Sequence, residues 1–393
     1  MDLPSLIRRR EAAILRLARD LIQTPTEEGN ETATAQVVRD AVAAEGIRCI
    51  LFGKDKQRQN LLFSVGEGRT LLFNGHLDTV PAGDPAAWRH PPFAGVVRGG
   101  ILYGRGASDM KGGVAAIVHA ALALRGRLQG RVVVALTRGE EGGEFDGARE
   151  LLARGLRAAG AIVADGSLRQ LTLGCRGGMR VRITVHGRAA HTGTLRHEGR
   201  GRHAVLGMAR LLLALEGLQL RAPRDRWFPP PKITPGTVIK GGVAVNVVPE
   251  RCEAMVDCRL VPGQTVAGVL QEIRRALPPL PGMRVSLQVT EHYPPVFTPP
   301  SSPLVQAVRR AAREELGRAP PLGVSGGGTD ANVFQPAGIP CVVVGTRGDN
   351  YHAANEWVRI SSLSQLAAIC STAAVEFLNA AQPIRTPATK RRT

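Results

Sequence analysis

Between Leu61 and Ala164 short apolar runs alternate with stretches of helical spacing. "LLFSV" (61–65), "TLLFNG" (70–75), "VVVALT" (132–137) and "AIVA" (161–164) read as strands, and 112–126 and 144–154 read as helices between them. Such alternation predicts a mostly parallel sheet with helices on both faces, an α/β architecture. From Met179 the order changes to strand "MRVRITVHG", helix 203–217, strand "GTVIKGG", strand "RCEAMVDCRL", helix 264–277 and strand "MRVSLQVT". This β-α-β-β-α-β succession predicts an inserted ferredoxin-like domain. The proline-rich "YPPVFTPPSSP" (293–303) leads back to the first pattern, with helix 303–316, strand "CVVVG" (341–345) and a last helix at 362–380. The expected division is 1–175 and 295–382 for one domain, 176–294 for the insertion, and 383–393 as a disordered tail.

Several function classes drop out on composition. The N-terminal apolar residues Leu6, Ile7, Ile14, Leu15, Leu17, Leu21 and Ile22 follow helical spacing, unlike the core of a signal peptide. The longest weakly polar run, 112–124, contains His119 and is shorter than the ~20 residues a membrane span needs. A cytoplasmic protein that binds no membrane is expected. The six cysteines form no C-x-x-C pair. A net charge of +18 raises the question of nucleic acid, but only six of the 51 basic residues are lysine and aromatics make up 4%. Without a basic stripe interleaved with aromatics, nucleic acid is not expected as a partner, and the charge reads as an arginine-biased surface.

In open α/β sheets ligands collect beyond the carboxyl ends of strands. His76 and Asp78 follow the strand at 70–75, Glu140 and Glu141 follow 132–137, Asp165 follows 161–164, and His352 lies past 341–345. Asp109 joins them from the glycine-rich "YGRGASDMKGG" (103–113). Gathering that many carboxylates without cations is costly, whereas divalent metals make the cluster favourable. His76, His352, Asp109, Glu141 and Asp165 are five ligands, and one bridging carboxylate turns five into three per ion for two ions, with an open position for water. Mixed N/O ligation suits zinc, with cobalt or manganese as substitutes. Asp78 is placed to hydrogen-bond the second ring nitrogen of His76. Of the adjacent glutamates, Glu140 is assigned as general base and Glu141 as ligand.

"GHLDTVP", "GRGASDMKGG", "GEEGG", "ADGS", "RAAHTG", "GGVAVNVVPE" with "DCRLVPG", "SGGGTDA" and "YHAANEW" resemble, in order, the motifs of a known family. It is the dinuclear-zinc amidohydrolases that include acetylornithine deacetylase, succinyl-diaminopimelate desuccinylase, aminoacylase, peptidase T and the glutamate carboxypeptidases. The resemblance covers nearly the whole chain. It implies Asp109 as bridging carboxylate, Glu141 and His352 on one metal, His76 and Asp165 on the other, and a cis bond from Asp109 to Met110. It further implies that the insertion is a lid and dimerisation domain making a homodimer, with His191 reaching the partner's site to stabilise an oxyanion. Asn246 and Arg259 would hold the substrate's terminal carboxylate, and Gly327, Gly328 and Thr329 would form a backbone N–H nest for the same end. His203 stands where asparagine is common. The implied activity is hydrolysis of the amide of an N-acyl amino acid or small peptide, with deacylase and peptidase both open.

Two other readings exist. "GVSGG" (323–327) fits a serine-hydrolase elbow with Asp330 or Asp349 and His352, although only 68 residues follow Ser325. A non-catalytic basic binding protein on the same fold is the second, and the full set of ligands argues against it.

Overall fold

The computed structural model describes residues 2–27, 29–194 and 201–380, so the expected tail at 383–393 lies outside the described residues. The chain forms two compact units. The first takes the chain up to Leu173, Thr298–Leu322 and the chain from Ala337; the second takes Gly174–Phe297 and Gly323–Pro336.

The centre of the first unit is parallel. Arg131–Thr137, Thr70–His76, Gly160–Val163 and Cys341–Val343 lie side by side in that order with parallel pairing throughout. After Thr70, every residue of Thr70–His76 is buried, as expected of a strand covered on both faces. The flanks are antiparallel: Asn60–Gly66 pairs with Arg131–Thr137, Ile50–Phe52 with Asn60–Gly66, and Leu171–Cys175 with Cys341–Val343. "LLFSV" therefore belongs to an antiparallel flank of the sheet, a pairing that alternation alone does not specify.

Helix Gly112–Ala123 is buried along its whole length and apolar on all sides, which suits a helix packed among neighbours on every face. The expected single N-terminal helix is two, Leu3–Arg9 and Glu11–Ile22, with Asp2 capping the first through the Ser5 N–H. Helix Glu31–Ala43 escaped the sequence reading because its buried stripe is weakly apolar: Glu31, Thr34, Ala35, Val38 and Val42. Helix Ile360–Asn379 is long and apolar enough to cross a membrane by length and composition, yet most of it is buried against the rest of the unit. A small antiparallel sheet of Gly348–Asp349, Trp357–Arg359, Ile101–Tyr103 and Val96–Arg98, also unforeseen, flanks the loop that carries His352.

The second unit has strands Gly177–His186, Lys232–Gly241, Arg251–Leu260 and Arg284–Tyr293 with helices Ala204–Glu216 and Val266–Ala276. Its sheet is antiparallel and places the third and first strands between the second and fourth, the ferredoxin-like order. Met179, Val181, Ile183 and Val185 alternate onto the face covered by Met208, Leu211, Leu215, Val269 and Ile273. His203 caps the first of these helices, its Nδ1 accepting the Leu206 N–H at 3.2 Å, which gives that residue a local structural role. Gly323–Pro336 joins this unit, beyond the expected 176–294 span. Asn332 explains the attachment: its Nδ2 donates to the carbonyls of Arg176 at 3.1 Å and Pro294 at 2.7 Å.

Candidate metal centre

His76 ends the strand Thr70–His76, and its Nδ1 lies 3.0 Å from the Asp78 carbonyl oxygen. A carbonyl can only accept, so Nδ1 carries a proton and Nε2 is the ring nitrogen left to bind a metal or a second proton. That Nε2 points at Asp109 Oδ1, 3.0 Å away. Asp78 corrects the expectation in one respect. Its carboxylate Oδ1 is 3.9 Å from His76 Nδ1, while Oδ2 accepts the Glu141 N–H at 2.9 Å. The main chain of Asp78 orients the imidazole, and its side chain orients the ligand glutamate.

Asp109 comes from a turn that opens helix Gly112–Ala123, and its bond to Met110 is cis. The two oxygens of this carboxylate serve different histidines: Oδ1 faces His76, and Oδ2 lies 3.2 Å from His352 Nε2. The same His352 Nε2 is 2.9 Å from Glu141 Oε2. His352 itself sits at φ 62 in the loop 350–355. Glu140 also approaches His76, its Oε2 4.0 Å from Nε2. Asp165 is half-buried just past strand Gly160–Val163, and its carboxylate accepts the Gly166 N–H. It makes no hydrogen bond or ion pair with the other candidates among the described residues, but lies close enough to feel the charges of Asp109 and His76.

The protons of this cluster describe what it is made to hold. Burial opposes a charge on His76, yet the Asp109 hydrogen bond and the charge of Glu140 raise its pKa well above the ordinary value. Hydrogen bonds to Asp109 and Glu141 push His352 up to about 10. Burial opposes ionisation of Asp109 too, but the His352 and His76 hydrogen bonds hold its carboxyl below the usual range. Burial and the neighbouring Asp109 push Asp165 up to about 7. The site is an anionic cavity that draws protons onto its imidazoles, and a divalent cation is the natural replacement for them.

The residues fit such ions. His76, Asp109 and Glu141 each offer a ligand atom within 4.8 Å of the others. Two donors held ~2.0–2.1 Å from one tetrahedral ion are about 3.3 Å apart, and less at octahedral angles. The 2.9–3.2 Å separations from His352 and the 3.0 Å from His76 match that spacing. Glu141 Oε1 and Asp78 Oδ1 are buried without a hydrogen-bond partner, which is the state of acceptors that await a cation or its water.

The remaining candidates lie in the second unit. His191 is exposed and bridges to Val247, beside Asn246, whose carbonyl accepts the Thr192 N–H at 3.1 Å. Arg259 donates to Asp257 at 2.8 Å and to the Tyr293 hydroxyl at 3.2 Å. Gly328 packs on the same ring, where a Cβ would lie 2.6 Å from Tyr293 Cε2. The expected nest at Gly327, Gly328 and Thr329 needs correction. The Gly327 N–H donates to Ser325 Oγ at 3.1 Å and the Thr329 N–H to Asn332 Oδ1 at 2.8 Å, so two of the three amides are consumed in closing the turn before helix Ala331–Phe334. The serine-hydrolase alternative loses its base: His352 Nε2, the atom a serine would require, lies between two carboxylates.

Sequence reasoning passed over Glu356 and Arg105, both fully buried behind Asp109, although "YHAANEW" contains the first. It also missed Met110, whose Sδ receives the His76 N–H at 3.3 Å.

A profile of peptidase family M20/M25/M40 matches residues 72–376. The chain belongs to this family. Among curated relatives, the succinyl-diaminopimelate desuccinylase of Methylobacterium radiotolerans is 34% identical over 380 residues, spanning 91% of this chain and 95% of the relative. That of Halorhodospira halophila is 33% identical over 375 residues, spanning 91% and 96%. Among solved structures, a metallo-carboxypeptidase of Sulfolobus solfataricus superposes with a TM-score of 0.78 at 20% identity, over 93% of this chain and 99% of that one. A dinuclear metal-binding peptidase of Bacillus subtilis gives 0.70 at 18% identity, over 94% and 99%. This member of the family is thus a metal-dependent hydrolase of amide bonds, with a His/Asp/Glu cluster arranged to hold metal.

Proposed function

We propose that the chain is a deacylase that removes a short acyl group, of the succinyl type, from the nitrogen of an amino acid, and that its native metal is zinc. The observation that carries the site assignment is Asp109, whose two oxygens address two different histidines. In this reading Asp109 would be shared, His76 and Asp165 would hold one ion, and His352 and Glu141 would hold the other. The pair of ions would supply Lewis acidity to the scissile carbonyl and acidity to the attacking water. Glu140 stands beside the ligand His76, and its carboxylate would take the water proton and pass it to the leaving nitrogen. The desuccinylase name shared by relatives above 30% identity supports a deacylase over a dipeptidase.

A homodimer through the second unit is part of the proposal. Val238 and Ile239 on the edge strand Lys232–Gly241, and Leu206 and Leu213 on helix Ala204–Glu216, are exposed apolar side chains on neighbouring elements. His191 accepts the Gly193 N–H on Nδ1, which leaves Nε2–H as a donor for the tetrahedral oxyanion in the partner's site. Arg259 and Asn246 would grip the substrate's carboxylate. Six free cysteines support a reducing, cytoplasmic setting.

The test is a panel of N-succinyl, N-acetyl and aminoacyl amino acids assayed with zinc, cobalt and manganese, before and after chelation. Turnover of N-succinyl amino acids, abolished by chelator and restored by metal, is the expected result. Hydrolysis confined to dipeptides would overturn the deacylase assignment, and activity indifferent to chelation would overturn the metal chemistry.

A further inference from the structure

The turn that carries Asp109 has almost no regular secondary structure to hold it. Asp109 (φ −124, ψ 93) and Met110 (φ −132, ψ 31) leave the helical region, and Gly106 sits at φ 82. The amides of this turn therefore lack ordinary helical acceptors. One side chain from 247 residues further along supplies them. Glu356 is 0% exposed, and its Oε1 accepts the Ser108 N–H at 2.8 Å and the Asp109 N–H at 3.0 Å. Its Oε2 accepts the Gly106 N–H at 2.8 Å and Arg105 Nη1 at 2.7 Å. All four acceptor positions of the carboxylate are filled, three of them by backbone amides of a single turn. Arg105 is equally buried, donates a second bond to the Pro81 carbonyl at 3.2 Å, and balances the charge.

We propose that Glu356 is the positioning residue of the dinuclear site: by clamping the amides of Gly106, Ser108 and Asp109, it aims the Asp109 carboxylate so that its two oxygens serve two ions at once. The proposal rests on the reading of Asp109 as the shared ligand. Because Arg105 neutralises the clamp, its contribution is geometric and does not depend on adding negative charge to the metals. A bridging ligand tolerates less rotation than a terminal one, so loosening the turn weakens the second ion before the first. Partners that orient a ligand are worth about 10- to 100-fold in metal affinity or activity.

The experiment compares wild type, Glu356→Gln, Glu356→Asp and Asp109→Ala, reading metal stoichiometry, calorimetric affinity for each zinc, and the visible spectrum of the cobalt-loaded protein. Glu356→Gln exchanges an acceptor for a donor that faces the turn's N–H groups. It is expected to keep the first metal, bind the second about 10- to 100-fold more weakly, and lose kcat with little change in KM. Glu356→Asp keeps the charge and restores part of the second-metal affinity. If Glu356→Gln does not fold, the same readings on Glu356→Asp decide the matter, with weakened second-metal binding expected. A variant that melts at a lower temperature but binds two metals with wild-type affinity and spectrum has lost only a structural contact, and that result overturns the proposal. Should Asp109→Ala also bind two metals like wild type, the reading of Asp109 itself has failed, and the two failures are told apart.

Discussion

Gly113 offers a direct probe of how far the metal site depends on close packing beneath it. It lies in the first turn of the buried helix Gly112–Ala123, four residues after Asp109. A Cβ built there would stand 2.2 Å from the carbonyl oxygen of Ala164 and 3.4 Å from Met110 Cε. Carbon and oxygen rest at about 3.3 Å, so the Gly113→Ala methyl must open the gap by about 1 Å. The obstacle is backbone, and the residue after Ala164 is Asp165, so the strain cannot be absorbed by turning a side chain. It pushes apart the two segments that carry Asp109 and Asp165. Overpacking of this kind costs about 1–3 kcal/mol of stability. A 1 Å displacement of positioned groups costs on the order of 10²-fold in rate. The assay is kcat and metal content of purified Gly113→Ala, with urea unfolding alongside. Gly217→Ala is the control, at a glycine with φ −92 and nothing within 4 Å of a built Cβ. A Gly113→Ala protein that keeps both metals and unchanged kcat would refute the idea that this contact sets the distance between the ligand-bearing segments.

Glu140→Gln should retain its metals and lose several orders of magnitude in turnover, and a near-normal rate would remove Glu140 as the base. Burial pushes His119 down to about 4, so above pH 6.5 it is neutral in both folded and unfolded chains and has no effect. As pH falls from 6.5 towards 4 the unfolded chain takes a proton that the folded one refuses, and stability drops by about 3 kcal/mol. Urea unfolding at pH 7 and pH 4.5 should show a shallower acid loss in His119→Gln, and an identical slope would contradict the assignment. Ile239→Lys, on the exposed edge strand of the proposed homodimer, should shift light-scattering mass from dimer to monomer; an unchanged mass removes that strand from the interface. Thr265 Oγ1 caps helix Val266–Ala276 through the Gly268 N–H at 3.1 Å, so Thr265→Ala should cost about 1 kcal/mol, read as a lower unfolding midpoint.

Much of the site was legible in the sequence because strand ends are legible. Runs such as "TLLFNG" and "VVVALT" mark where buried strands stop, and polar residues just beyond them must share one edge of a parallel sheet. His76, Glu140, Glu141 and Asp165 follow from that rule. His352 lies at φ 62 on a loop flanked by two- and three-residue strands, and there the motif "YHAANEW" carried more than periodicity did. The turn at 325–331 shows the limit of motif reading. Three glycines in a row resemble a nest of free donors, but Ser325 and Asn332 take up the Gly327 and Thr329 amides.

The sequence alone determined which chemistry the chain can perform, since ligand types, their strand-end positions and the apolar periods are local properties. Tertiary structure decided how those groups are aimed. The Asp78 carbonyl, and not its carboxylate, faces His76, and Glu356 reaches back across 247 residues to the Asp109 N–H. Hydrogen bonds between positions so distant leave no periodic trace along the chain, because they are settled only when the folded backbone exhausts its nearer partners.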